Sequence, residues 1–383
     1  MPRALRAWVL GATALTASIA LVATLLVSGA GSLGRAELGR CMANGSLRTV
    51  EQVDAFVQDL ATPEFEGADV GASIELVDGR HLFVFADTLR STPFGRRHFV
   101  RNSMIVVGDD CPRVVMPADH GAVIPDRDEV VGYWPMSLTR LGEGSGYELL
   151  GVSAQRVRST GRESDGVFAF EIMGFSAAIF VVPRGGTPRL LNVQDFGPDL
   201  VDPTRPIWGA ATAVADGWVY LYGTARPWAV PTAFSLQVAR ARPSDFLDQA
   251  RWQYWNGWQW VADPDSAAPL IAADGGVSQT LSIFSDRGRW YAVSKRDEWL
   301  GTDLTIWTAP APIGPFVATS VVAHIPSDPA TGMMRYMPLA HPDLLPRSGS
   351  VVVSYSENNL RLGVILADPR LYRPRFIRVP LPS

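Results

Sequence analysis

Gly67-Ala68-Asp69-Val70-Gly71-Ala72-Ser73-Ile74-Glu75-Leu76 leads into Asp78-Gly79, and His81-Leu82-Phe83-Val84-Phe85-Ala86-Asp87-Thr88 leads back out. An Asp-Gly step between two extended segments is a strong hairpin signal, because a tight hairpin turn needs positive φ at its central residues. A two-residue turn at Asp78-Gly79 pairs Val77 with Arg80, so that paired positions sum to 157. Val70 then faces Asp87 and Asp69 faces Thr88, which predicts two carboxyls as diagonal neighbours at one end of the hairpin.

The same unit recurs four times. Tyr133-Trp134-Pro135-Met136 turns around Gly142 to Gly146 and returns as Gly151-Val152-Ser153. Trp208-Gly209 turns at Asp216-Gly217 and returns as Val219-Tyr220-Leu221-Tyr222-Gly223-Thr224. Val277-Ser278 turns at Asp286-Arg287-Gly288 and returns as Trp290-Tyr291-Ala292-Val293-Ser294-Lys295. Tyr336-Met337-Pro338 turns at Ser348-Gly349 and returns as Val351-Val352-Val353-Ser354-Tyr355. Starts taken at 69, 133, 208, 277 and 336 lie 64, 75, 69 and 59 residues apart, room for four strands and their loops. A β-sandwich with long loops fits this spacing too. Five comparable hairpin-led units favour an all-β, five-bladed β-propeller over residues 67–383.

In a propeller the start of each first strand and the end of each second strand share one face. Asp69 and Asp87 therefore sit at the mouth of the first unit. Two carboxyls that close must be solvated, share a proton or bind a cation. A strand through Phe99-Val100-Arg101-Asn102-Ser103 brings Arg101 and Asn102 towards the same mouth. The other units add Tyr133, Trp134, Trp208, Thr224, Arg226, Ser278, Gln279, Ser294, Lys295, Tyr336, Tyr355 and Ser356. Paired carboxyls suit acid/base or nucleophilic work on a glycosidic bond, and aromatic faces suit the apolar C–H faces of sugars. The bland reading is that Asp69 and Asp87 cap strand ends and that several of the aromatics fill space between blades; the residues alone leave both open. Tyr355 is read as packing. His341-Pro342-Asp343 adds a candidate substrate-binding or proton-transfer histidine, His341.

Composition excludes other classes. The chain has 383 residues, 34 basic against 38 acidic, and a net charge of −4. Lys295 is its one lysine. This argues against a nucleic-acid partner, which needs a concentrated basic surface. With 47% apolar and 19% charged residues disorder is not expected, and 29 prolines and 35 glycines break up long helices. No phosphate loop, serine elbow or Cys-His nucleophile pattern appears, and no metal or other cofactor is expected. The aromatic run Trp252-Gln253-Tyr254-Trp255-Asn256-Gly257-Trp258-Gln259-Trp260 alternates around Asn256-Gly257, which favours an outer hairpin over a carbohydrate platform.

Arg3 and Arg6 precede residues 8–30, an uncharged apolar run of 23 residues. That run serves as a signal peptide or as a single-pass membrane anchor (1–30), and both readings stay open. Either way the bulk of the chain is exported, to be secreted or held at the membrane. Residues 31–66 read as a linker holding one short amphipathic helix at 49–60, capped by Thr49. An exported chain with just two cysteines favours a Cys41–Cys111 bridge.

Taken in order, Gly67-Ala68-Asp69-Val70-Gly71, Phe83-Val84-Phe85-Ala86-Asp87-Thr88, Arg101-Asn102-Ser103, Trp208-Gly209-Ala210-Ala211, Tyr254-Trp255-Asn256-Gly257, Ile313-Gly314-Pro315-Phe316 and His341-Pro342-Asp343 resemble the signature of a domain-of-unknown-function family of exported bacterial five-bladed propellers. The resemblance covers about 67–383. Ala86 departs from it, since the family usually has glycine there. Some members are endo-acting D-arabinanases that cut mycobacterial-type cell-wall arabinan. The resemblance implies a cell-envelope glycan as partner and raises Asp69 and Asp87 as catalytic residues. The rival readings are a non-catalytic glycan-binding propeller and a membrane-anchored protein-interaction propeller. A third acid near the channel separates the hydrolase from the first rival.

Overall fold

A computed structural model describes residues 36–42, 47–60, 62–91, 98–108, 111–161, 168–230 and 232–382. The signal or anchor expected at 1–30 lies outside them. The chain forms a mainly-β, five-bladed propeller. Each blade is an antiparallel sheet whose first long strand is innermost. These inner strands are Gly67–Glu75, Val131–Gly144, Ile207–Ala215, Ser282–Asp286 and Met333–His341. Each touches the next around the axis, and the fifth touches the first, which closes the ring. The buried apolar faces lie between adjacent blades; Trp208, Tyr222, Leu236, Trp252 and Trp290 form one such cluster.

Local turn chemistry sets the hairpins. Asp216 and Gly217 have φ of 51° and 72°, and Arg287 and Gly288 have 50° and 78°, so both make the tight turns that right-twisted strands favour. The first hairpin differs from the expected register. Glu75 pairs with His81 and Leu76 with Arg80, a sum of 156, around a three-residue turn. The amide of Val77 donates instead to Glu148 Oε1 on blade 2 (2.8 Å), so it is not available to pair with Arg80. The fourth unit also starts later than expected. Residues 277–281 cross towards blade 3, where Val277 bridges Phe234, and the paired strand begins at Ser282.

The N-terminal segment clasps the ring. Ala36–Leu38 adds a strand outside Cys111–Pro117, and Cys41 is bridged to Cys111. The helix α1 (Val50–Gln58) is capped by Thr49 and Gln52 and packs on the last strand, Arg375–Pro380. Asp54 Oδ1 accepts from the Phe376 amide (2.8 Å). Buried Arg373 donates to the carbonyls of Gln58, Leu60 and Glu66. The aromatic run at 252–260 forms the outer hairpin of blade 3, with Trp255 paired to Trp260. Among the described residues no helix is long and apolar enough to cross a membrane.

Candidate active site

The inner strands are irregular where they meet the mouth. Register shifts fall at 68–72 in blade 1, 135–137 in blade 2, 207–211 in blade 3 and 336–339 in blade 5. A bulge re-aims the side chains beside it. In blade 1 it takes Val70 to φ 67° and Gly71 to φ 86°. Positive φ is costly for a β-branched residue. Ser356 Oγ of blade 5 accepts from the Val70 amide (3.0 Å) and helps hold the bend. Between the Ala68–Thr88 and Val70–Phe85 pairs, Asp69 is left opposite Ala86-Asp87. Pairs on both sides of the bulge sum to 156, as do Asp69 and Asp87, so the observed register sets the two carboxyls opposite each other, where the register expected from the turn made them diagonal neighbours.

Both open onto a cavity of about 580 Å³, within the range of small-molecule sites. All five blades line it: Asp69 and Asp87 from blade 1, Trp134 from blade 2, Arg226 from blade 3, Gln279 and Glu298 from blade 4, and Tyr336 from blade 5. Tyr336 Oη donates to Asp69 Oδ2 (2.8 Å), and Asn358 Nδ2 donates to Tyr336 Oη (3.3 Å). The buried Asp69 Oδ1 accepts no hydrogen bond among the described residues. Burial pushes the Asp69 carboxyl up to about 6, and the hydroxyls of Tyr336 and Tyr372 offset this only in part. Trp134 Nε1 donates to Asp87 Oδ1 (2.5 Å). Burial first, and the Asp69 charge second, hold Asp87 well above the usual carboxylate range.

Glu298 is the third acid. It follows the second strand of blade 4, in a turn where Asp297 and Glu298 have φ of 59° and 54°. That turn tucks its side chain inward, where its residue is 3% exposed. Glu298 Oε2 accepts from the Gln279 amide (2.9 Å), and burial pushes its carboxyl up to about 7. Glu298 is not among the residues expected at the mouth, which end at Lys295 in this unit. The signal was available, since a position just past a second strand can be a mouth position, as Arg226 is in blade 3.

Of the expected mouth residues, Asp69, Asp87, Trp134, Thr224, Arg226, Gln279 and Tyr336 share this cavity. The others do not line it. Asn102 is fully buried and serves the loop around Ile124: its Nδ2 donates to the Ile124 and Tyr133 carbonyls and its Oδ1 accepts from the Ile124 amide. Arg101 is committed to Asp126 (2.8 Å), the Val130 carbonyl and Ser159 Oγ, reaching Asp87 only through its charge. Tyr133 and Trp208 are buried in the interblade cores. Lys295 is buried with Nζ on the Arg335 carbonyl, and burial pushes it down to about 8. His341 lies inside blade 5 near the rings of Phe83 and Phe376, with Ser73 Oγ 2.7 Å from Nδ1 and Ser354 Oγ 2.8 Å from Nε2. Burial pushes it down to about 3, so it stays neutral.

A second, smaller cavity of about 230 Å³ lies beneath α1. Among the described residues its lining is apolar apart from His81, and it carries none of the three acids. Among the described residues no set of three His, Cys, Asp or Glu side chains is arranged to hold a metal ion.

A family model described as "Domain of unknown function (DUF5005)" matches residues 52–380, so the chain belongs to that family. No curated protein matches the chain. Among solved structures, a protein described as a "putative hydrolase" from Bacteroides ovatus superposes with a TM-score of 0.63 at 17% identity, over 90% of this chain and 93% of that one. This likeness is one of fold. The GH43_1 enzyme from Xanthomonas citri complexed with xylose gives 0.46 at 15% identity, over 83% and 88%. A GH43 beta-xylosidase/alpha-arabinofuranosidase from a compost microbial metagenome gives 0.46 at 12%, over 92% and 96%.

Proposed function

We propose that this chain, a member of the DUF5005 family, is an exported glycoside hydrolase of cell-envelope polysaccharide, with arabinan as the substrate to test first. The observation that carries the reading is the convergence of Asp69, Asp87 and Glu298 on one cavity, all with raised proton affinity. Burial costs these acids more than the charges of Arg101 and Lys295 return, and sites of chemistry are where such groups gather.

Glycoside hydrolysis needs one protonated and one ionised carboxyl near neutral pH. Asp69, at about 6 and supported by the Tyr336 hydroxyl, is the carboxylate. Glu298, at about 7 on another blade, holds the proton for the departing glycosidic oxygen. Asp87 keeps its own proton beside Asp69, which keeps the charge of the blade 1 pair near one and orients Trp134 through the hydrogen bond it accepts. Water adds at the anomeric carbon, its proton passing to a carboxylate, and the glycosidic oxygen leaves with the proton of Glu298. The Cys41–Cys111 bridge fits an oxidising, extracytoplasmic compartment. Residues 1–30 then act as signal or anchor, the polysaccharide is the partner, and nucleic acid is not.

The test is release of oligosaccharides from purified cell-wall arabinan by the full-length protein and by its Asp69→Asn, Asp87→Asn and Glu298→Gln variants. Release by the parent and a loss of at least a hundredfold in Asp69→Asn and Glu298→Gln is expected. Undiminished release in those variants, or saturable glycan binding by the parent with no release, overturns the reading; the second outcome makes the protein a glycan-binding propeller.

A further inference from the structure

The mouth carries aromatic surface that the acids do not need. Trp134, whose indole donates to Asp87, meets Phe170 edge-on with ring centroids 4.5 Å apart. Phe170 in turn lies 6.5 Å from Phe168. Phe168 is 45% exposed. The three rings therefore run in sequence from the acid pair to solvent along blade 2. On the blade 3 side Trp228 lines the same cavity yet is 77% exposed. Its loop is held in place: the Arg226 amide donates to the Pro203 carbonyl (2.6 Å), and the Val230 amide closes a turn onto Pro227 (2.9 Å).

Exposed aromatic rings are unfavourable in water, and a patch of them on a cavity rim marks a place where a ligand covers them. The charge around the rings narrows the ligand. With Asp87 and Glu298 holding their protons, the charges that the described lining residues bring are those of Asp69, Glu171 and Asp202 against Arg226, and Arg158 pairs with Glu171 (2.5 Å). A chain bearing carboxylates or phosphates meets like charge there, whereas a neutral sugar offers hydroxyls to the acids and C–H faces to the rings.

We infer that Trp134, Phe170 and Phe168 form a track, flanked by Trp228, that binds sugar units beyond those at the acids, so that the cavity takes an internal stretch of a neutral glycan chain. The inference rests on the hydrolase reading above and adds to it where along the polymer the protein engages. Affinity then rises with chain length, and the rise belongs to Phe168 and Trp228.

The experiment uses full-length Glu298→Gln protein, so that the probe survives, and reduced arabinan oligosaccharides of two, four and six units, titrated by calorimetry. Affinity is expected to climb with length, and adding Phe168→Ala and Trp228→Ala is expected to weaken the longest probe by roughly ten- to a hundredfold and the shortest much less. The thermal midpoint should move little, since Trp228 is largely solvated and Phe168 is partly so. Trp258→Ala, a 90% exposed tryptophan outside the cavity, should leave every affinity unchanged. Oligogalacturonates of equal length should bind more weakly than the neutral probes. An unchanged length dependence in the double variant, while the parent still cleaves arabinan, overturns the track and leaves the hydrolase standing. Equal weakening by Trp258→Ala, or tighter binding of the galacturonates, overturns it too. If the parent neither binds nor cleaves arabinan of any length, the hydrolase reading falls and the track falls with it.

Discussion

At the axial mouth, Asp69 and Asp87 accept hydrogen bonds from neutral donors, Tyr336 and Trp134. On blade 2, Asp199 meets two arginines: Arg156 Nε at 2.8 Å and Arg127 Nη2 at 2.7 Å. One arrangement lies at the inner strands and the other in the loop after the outermost strand of blade 2, and the responses are opposite. Burial raises the mouth acids. The Arg127 hydrogen bonds, with the charge of Arg156 behind them, hold Asp199 below the usual range. The difference teaches how to separate structure from chemistry in one fold. A paired acid is a tie between loops; an acid whose burial outweighs the cations near it is kept able to change its proton state.

The sharpest way to break this comparison is activity. Glu298→Gln and Asp69→Asn remove a proton donor and a proton acceptor, and each should lower kcat by about 10²–10⁴. Arg127→Gln, in the paired cluster, should change kcat by less than about threefold at a temperature where the variant is folded. Assays of arabinan cleavage on the three variants decide it; equal losses in all three would erase the distinction. The same groups set the pH profile. Asp69 must be ionised and Glu298 protonated, so the rate should form a narrow bell rising near pH 6 and falling near pH 7. Glu298→Gln should abolish the alkaline limb of its residual activity and leave the acid limb in place.

Stability comes next. Arg156 is fully buried, and besides Asp199 it reaches Asp195 (3.5 Å) and the Pro198 carbonyl (3.0 Å). Arg156→Met removes one member of a buried ion cluster, a change that costs about 3–5 kcal/mol when the remaining charge stays buried. Asp199 is 38% exposed and can recover water, so the loss should fall near the lower value. Urea unfolding at pH 7 measures it. A loss below about 1 kcal/mol would show that the cluster ties nothing.

The blades were legible because hairpin turns and alternating strands are local signals repeated on a period, and Asp216-Gly217 and Arg287-Gly288 turn where their chemistry requires. The mouth was half legible. Asp69 and Asp87 were placed together by a register that is off by one; the observed register sets them opposite each other in place of diagonal, and a bulge at Val70-Gly71 bends the strand beside them. Bulges depend on neighbouring blades, here Ser356 on the Val70 amide, and no local pattern announces them. His341 and Asn102 misled for one reason. A polar residue near a strand end looks like a site residue until its partners are known, and theirs are Ser73 and Ser354, and the Ile124 backbone. Glu298 was hidden because its inward aim depends on two consecutive residues with left-handed backbone, which acidic residues adopt only when tertiary packing holds them there.

The subtlest prediction turns the comparison into a pH dependence of stability. Asp69 and Glu298 have folded values near 6 and 7, above their ordinary values of 3.8 and 4.5. Between about pH 4 and 7 the unfolded chain has released these protons while the folded protein keeps them, so the folded state binds more protons and stability falls as pH rises. The stabilising contribution is complete below the unfolded values and gone above the folded ones. Asp199 runs the other way: its folded value is depressed, so its contribution is present above about pH 4 and is lost as pH falls through that depressed value. Amides at the mouth cannot ionise and escape the first penalty. Asp69→Asn and Glu298→Gln should each stabilise the protein at pH 8 by on the order of 1–2 kcal/mol, and the gain should vanish by pH 4. Thermal unfolding of parent and variants across that range measures it. A gain that persists at pH 4 would come from packing and not from protons, and the mouth acids would then have to be counted with the ties on blade 2.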